Sequence, residues 1–106
     1  MVKDMYGREF TLTDMMAGVG GGWGGIVERL YNALDKHNVA VWQVKEKFGG
    51  LRFYVGSATE HIHQMIEEAE AESVKTCELC GRAGKQIDQN GWVTTRCEEC
   101  ADGDKK

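Results

Sequence analysis

Four cysteines near the carboxyl-terminal end of the sequence form the pattern with the clearest chemistry. They stand as two C-x-x-C pairs, Cys77 with Cys80 and Cys97 with Cys100, separated by sixteen residues. This spacing is typical of proteins whose four thiolates hold one zinc ion in a tetrahedron. Four protein ligands leave no coordination position for water, so the pattern predicts one structural zinc ion and not a catalytic one.

Three other uses of the cysteines are compatible with the spacing alone. Two disulfide bonds would need an oxidising compartment, and the sequence begins without the charged and apolar pattern of a secretion signal. A redox C-x-x-C motif would need one pair beside a βαβ unit, rather than two pairs around a hairpin. Four thiolates also suit iron, so the choice between zinc and an iron–sulfur cluster stays open here.

The residues between the two cysteine pairs predict a β-hairpin. Asn90-Gly91 favours a type I′ turn, because both central residues of that turn need a positive φ angle. The flanking segments, 85–89 and 92–96, are long enough to pair as short strands. Gly81 suits the tight backbone of a zinc knuckle directly after the first pair. Knuckle, hairpin and second pair together predict a module of the zinc-ribbon or treble-clef type.

Two amphipathic helices are predicted before the cysteines. The segments 26–37 and 57–75 both repeat apolar residues at helical spacing, and Ser57 or Thr59 would cap the second. The second helix runs almost directly into Cys77, so the zinc module should dock on its end.

We therefore expect an α+β fold in two parts. Residues 1–75 would form a small α-β-β-α domain with an antiparallel hairpin, and residues 76–106 the zinc module.

The hairpin of the first part is predicted over residues 39–55, with its two-residue turn at Gly49-Gly50. This turn places Lys45 opposite Tyr54, and strand alternation then sorts the side chains into two faces. The apolar face would hold Trp42, Val44, Phe48, Leu51, Phe53 and Val55. The other face would carry Val41, Gln43, Lys45, Lys47, Arg52 and Tyr54.

Three cations and a tyrosine on the second face are the best candidates for binding a partner. We call these four residues the cationic face: Lys45, Lys47, Arg52 and Tyr54. They suit an acidic protein surface, a phosphate or a nucleic-acid backbone. A solvated strand with lysine and arginine along its edge would have the same pattern. Cations directly opposite one another are unfavourable in a sheet, which tilts the interpretation toward a partner.

A glycine-rich segment, GVGGGWGG at 18–25, precedes the first helix. Such loops can bind phosphate through backbone N–H groups at a helix start. Neither phosphate-binding pattern is met, because no Gly-Lys-Ser or Gly-Lys-Thr follows and the dinucleotide fingerprint lacks its buried strand and its later acidic residue. We expect a flexible or tightly turned entry loop in which Trp23 is an anchor.

Composition and charge exclude several classes of protein. The 106 residues are 42% hydrophobic and 28% charged, as in folded domains, and no apolar run is long enough to cross a membrane. The formal net charge of −4 disfavours nucleic acid as a partner without excluding it. No Ser-His-Asp, Cys-His or paired-carboxylate arrangement stands out, so we expect no enzyme. A site built from His37, His61, His63 and glutamates is the weaker alternative.

The order of these features resembles that of a group of small phage and prophage proteins. The matching residues are Gln43 to Tyr54 (QVKEKFGGLRFY), Ser73, Cys77, Cys80, Gly81, Gly91, Trp92, Cys97 and Cys100. The resemblance implies a phage or prophage origin, and hence the cytoplasm of a bacterial host, but it brings no activity with it.

Small phage proteins often antagonise host enzymes or immune systems. The resemblance therefore implies a non-enzymatic zinc protein that binds a host or phage protein, for example an antiviral defence complex that it inhibits. A nucleic-acid or nucleotide-binding protein is the alternative.

Overall fold

A computed structural model describes residues 1–103 of the chain. It contains four α-helices, one 3₁₀ turn and two antiparallel hairpins, which confirms the predicted α+β class. None of the described helices is long and apolar enough to span a membrane. In chain order the elements are α1 (Leu12–Met16), the 3₁₀ turn (Gly21–Trp23), α2 (Gly24–His37), β1 (Val41–Lys47), β2 (Gly50–Val55), α3 (Glu60–Ser73), β3 (Lys85–Gln89), β4 (Trp92–Arg96) and α4 (Glu98–Gly103).

The core lies between α2, α3 and one face of the β1–β2 hairpin. Both helices bury the apolar stripe that their spacing predicts, with Leu30 and Ile66 near the middle of each. Thr59 and not Ser57 caps α3, because its Oγ1 accepts a hydrogen bond from the Ile62 N–H at 3.3 Å. Helix α3 therefore starts later than the sequence suggests.

The turn of the β1–β2 hairpin lies one residue earlier than predicted. Phe48 and Gly49 occupy its centre, with φ angles of 54° and 75°, and Gly50 is already in β2. The Glu46 carboxylate stabilises this arrangement, since its Oε2 accepts a hydrogen bond from the Gly49 N–H at 2.7 Å. Because the turn lies earlier, the predicted pairing of the two strands is wrong by two residues: Lys45 pairs with Arg52 and not with Tyr54.

The corrected register changes which side chains face the core. Lys45 lies opposite Arg52, and a bulge follows Val41. Val41 is fully buried although it was predicted on the polar face, whereas Trp42 and Phe48 of the predicted apolar face are 54% and 61% exposed. All four residues of the cationic face still share the outward side of the hairpin, because the register shift is an even number of residues.

Helix α3 covers the outer edge of β2. The Ser73 hydroxyl accepts a hydrogen bond from the Leu51 N–H at 2.9 Å, and the Glu70 carboxylate accepts one from the Phe53 N–H at 3.0 Å. These bonds satisfy strand N–H groups that would otherwise invite pairing with another chain. Glu70 is thus half-buried and structural.

Candidate metal centre

The structure brings the four cysteines together at the end of the second hairpin. Their Sγ atoms all lie within 4.8 Å of one another, and those of Cys80 and Cys97 are 3.5 Å apart. Four sulfurs bound to one zinc ion at about 2.3 Å are roughly 3.8 Å apart in a regular tetrahedron. The four thiols are therefore close enough to hold a single metal ion.

The first cysteine pair lies on a tight knuckle closed by Gly81. The Gly81 N–H donates to the Cys77 carbonyl at 2.9 Å, and the Cys77 N–H donates to the Arg82 carbonyl at 2.7 Å. Gly81 has a φ of 83°, a conformation that side chains rarely adopt, which explains the glycine that the sequence places there. The knuckle thus holds Cys77 and Cys80 on one side of its backbone.

The second pair lies at the start of α4. Cys97 immediately precedes this helix, its carbonyl accepts a hydrogen bond from the Ala101 N–H at 2.9 Å, and Cys100 lies in the first turn. Knuckle, hairpin and cysteine-bearing helix in this order favour the treble-clef form of the predicted module, since the second pair of a ribbon would lie on another knuckle.

The surroundings of the thiols drive their pKa values apart. Burial raises the pKa of Cys77, but hydrogen bonds from neighbouring groups, led by the backbone N–H of Cys97, outweigh it and lower that pKa to about 6. The side chains of Cys97 and Cys77 raise the pKa of Cys100 to about 12. Thiolates this close repel one another, so the cluster resists full ionisation by itself. A bound dication removes that resistance and lets all four sulfurs act as thiolate ligands.

The glycine-rich segment packs against the knuckle. The Gly22 N–H donates to the Glu78 carbonyl at 2.8 Å. A Cβ on Gly22 would lie 2.1 Å from the Cys77 carbonyl oxygen, and one on Gly20 would lie 2.2 Å from that of Glu78. At these two positions the backbones lie too close for a side chain, so close packing explains Gly20 and Gly22 without a phosphate.

Trp23 fixes the same contact from inside the core. Its ring is fully buried, as its predicted anchoring role requires, and Nε1 donates to the Thr76 carbonyl at 2.9 Å. A buried indole N–H needs such an acceptor, and the chain entering the knuckle supplies it. The knuckle is thereby joined to the start of α2.

The turn of the first hairpin docks on the second hairpin. The buried Thr95 hydroxyl donates to the Gly49 carbonyl, and the Gln86 side chain donates to the Phe48 carbonyl at 3.0 Å. A Cβ on Gly49 would lie 2.9 Å from the Thr94 carbonyl carbon. The sequence does not reveal these positioning residues, because a threonine or glutamine on a short strand gives no sign of a distant partner.

The cationic face is intact in three dimensions. Lys45 and Arg52 are half-buried and opposed, and the Lys45 Nζ lies 5.9 Å from the centre of the exposed Tyr54 ring. Lys47 is exposed, with its Nζ 5.5 Å from the Phe48 ring. The Arg52 Nε is covered and has no hydrogen-bond partner within residues 1–103. No acidic side chain lies on the outward side of β1 and β2 in this part of the chain.

Exposed apolar side chains frame the cationic face at both ends. Met5 and Trp42 line a shallow depression of about 530 Å³ beside Tyr54. At the other end, Phe48 and Trp92 line a depression of about 310 Å³, and Trp92 is 71% exposed. The sequence pattern did not reveal this surface, because it assigned Trp42 and Phe48 to the core.

The histidines form no comparable site within the described chain. The rings of His37 and His61 are 6.4 Å apart in an edge-on arrangement, both exposed, and His63 is exposed as well. Among residues 1–103, the cysteines alone form a group of three or more side chains able to hold a metal.

Comparisons with known proteins add no identity to this geometry: no family model, curated protein or solved structure matches the chain significantly.

Proposed function

We propose that this protein is a non-enzymatic zinc-binding module that binds an acidic surface of another protein through its cationic face. The observation that carries the proposal is the outward side of the β1–β2 hairpin. It holds the cations Lys45, Lys47 and Arg52, within the described chain it lacks any acidic side chain, and exposed aromatic rings flank it. Aromatic residues and arginine are the types that dominate binding energy at protein interfaces.

The cysteine geometry supports a single metal ion over an iron–sulfur cluster, and zinc is the ion that we propose. Sulfur atoms within 4.8 Å of one another suit a single tetrahedral ion, whereas a cluster would hold its cysteine sulfurs further apart. Zinc would fix the knuckle to α4 and supply no open position for chemistry. Its role in the proposal is to hold the fold that presents the hairpin.

The expected phage or prophage origin makes a bacterial host protein the proposed partner, with inhibition as the proposed outcome. This part of the proposal rests on the sequence resemblance. The net charge of −4 disfavours nucleic acid more than a protein that is acidic only at its contact surface, because nucleic acid carries dense negative charge along its whole length.

Capture of partners from a bacterial lysate tests the cationic face. We expect a variant with Lys45, Lys47 and Arg52 all changed to glutamate to lose the proteins that the wild type retains, because like charges then face the acidic partner. A control with the same change of net charge alters three exposed lysines elsewhere: Lys36, Lys75 and Lys85. This control variant should still retain the proteins that the wild type captures. An unchanged set of captured proteins, or equal loss with both variants, would contradict the proposal.

Nucleic-acid binding is the second candidate, and the aromatic rings among the cations favour it. Exposed rings beside lysine and arginine are also how single-stranded nucleic acids are bound, by stacking and by phosphate contact. Retention of a single-stranded oligonucleotide at low salt, weakening steeply as salt rises, would support this candidate. The leading proposal predicts no retention.

A further inference from the structure

The two hairpin turns share one backbone geometry but not one sequence. Asn90 and Gly91 have φ angles of 56° and 85°, and Phe48 and Gly49 have 54° and 75°. Asparagine tolerates the left-handed region, whereas a bulky residue there is strained. The chain uses the favourable residue at position 90 and an unfavourable one at position 48.

Burial does not offset the strain at Phe48. Its ring is 61% exposed, so the hydrophobic effect gives it little stabilisation. The backbone around it is held by other groups, namely the Glu46 carboxylate on the Gly49 N–H and the Gln86 side chain on the Phe48 carbonyl. The fold therefore forces a phenylalanine into a strained, exposed position, and such positions cluster at functional sites.

A second exposed aromatic residue lies at the same place. Trp92 directly follows the other turn, and it lines one depression together with Phe48, Lys47, Val93 and Glu46, whose carboxylate accepts a hydrogen bond from the Gly49 N–H. Two large rings exposed in a single patch mark an interaction surface more often than a chance exposure. We call Phe48 and Trp92 the tip pair.

We propose that the tip pair binds an apolar side chain carried by an acidic segment of a protein partner. This inference rests on the proposed function, because the tip pair continues the cationic face at Lys47. The Lys47 Nζ lies 5.5 Å from the Phe48 ring, so a carboxylate beside the apolar side chain would meet a cation at the rim of the depression. Phe48 and Trp92 would give the apolar contact and the cations the complementary charge.

The three tryptophans provide a site-specific readout by NMR. The indole N–H of Trp92 reports on the tip pair, that of Trp42 on the far end of the cationic face, and that of buried Trp23 on the intact core. The probes are synthetic twelve-residue peptides of glutamate and serine, one with a single leucine and one with serine in its place. A peptide with lysine for glutamate and a single-stranded oligonucleotide complete the set.

We expect the leucine peptide to shift the Trp92 signal and to bind at least tenfold more tightly than its serine counterpart. Phe48→Asn and Trp92→Gln should each reduce that ratio to nearly one. Tyr6→Ser, which removes an exposed ring away from both hairpin turns, should leave it unchanged. Phe48→Asn should also unfold at the same or a higher denaturant concentration than the wild type, because it relieves strain; a lower midpoint would show that Phe48 is structural and overturn the inference.

The remaining outcomes separate this inference from the proposed function. If both acidic peptides bind equally and the Trp92 signal stays in place, the tip pair is not an anchor, while the cationic face survives as an acidic-protein site. If no acidic peptide binds at millimolar concentration, or if only the oligonucleotide binds, both the inference and the proposed function are wrong.

Discussion

Gly22 shows how strictly single positions control the junction between the cysteine cluster and the rest of the chain. A side chain there would overlap the carbonyl of Cys77, the first metal-ligand candidate, and would also press on the Gly81 N atom at 2.7 Å. Composition revealed the glycine-rich segment but not its purpose. The contact that explains it joins residues more than fifty positions apart, and no local pattern carries that information.

Substitution at this position should be severely destabilising. We expect Gly22→Ala to lower the free energy of unfolding by more than about 2 kcal/mol, since the added Cβ meets backbone that cannot rotate away. Gly25→Ala is the matched control, because a Cβ on Gly25 meets nothing within 4 Å and alanine favours the helix by about 0.5–1 kcal/mol. Urea denaturation gives the free energy of unfolding of both variants. Similar values for the two would contradict the close packing.

Hairpins illustrate which elements a sequence can specify. Strands β3 and β4 have the predicted bounds, because Asn90-Gly91 alone fixes the turn. The β1–β2 turn was predicted one residue too late, because two adjacent glycines are a sequence typical of a two-residue turn. A side-chain bond from Glu46 and contacts to Thr95 in another hairpin select the observed turn, and both depend on the folded structure.

The contact between α3 and β2 depends on a buried hydroxyl. Ser73 is fully buried and is the acceptor for the Leu51 N–H. We expect Ser73→Ala to cost about 1–3 kcal/mol of stability, since it leaves a buried donor unpaired. The exposed Ser57, which does not cap α3, supplies the control: Ser57→Ala should change stability by less than about 0.5 kcal/mol. Thermal unfolding of the two variants compares them directly, and a neutral Ser73→Ala would refute this role for the hydroxyl.

Across the described chain, the cysteine cluster and the cationic face belong to one connected structure. The knuckle is bonded to Gly22 and Trp23, and the turn at Gly49 is bonded to Thr95, so order at the cysteines supports order at the hairpin. The four-cysteine cluster was predictable because metal geometry imposes spacing on the sequence. The exposed aromatic residues beside the cationic face were not, because hydrophobic residues in a strand normally indicate the core.

Removal of a bound metal should therefore change the structure beyond the cysteines. We expect a strong chelator to expose the buried Trp23 and shift its fluorescence to longer wavelength, because its hydrogen-bond acceptor Thr76 precedes the knuckle directly. Variants with Trp42→Phe and Trp92→Phe isolate this signal, and added zinc should restore it. An unchanged emission spectrum after metal loss would show that the fold does not depend on the ion.

X-ray absorption at the zinc edge, on protein purified without added metal, reports directly on the ligands of the proposed zinc ion. We expect one zinc ion per chain, surrounded by four sulfur atoms at about 2.3 Å and by no oxygen or nitrogen. Iron in place of zinc, fewer than four sulfur ligands, or a water molecule in the coordination shell would contradict a closed structural zinc centre formed by Cys77, Cys80, Cys97 and Cys100.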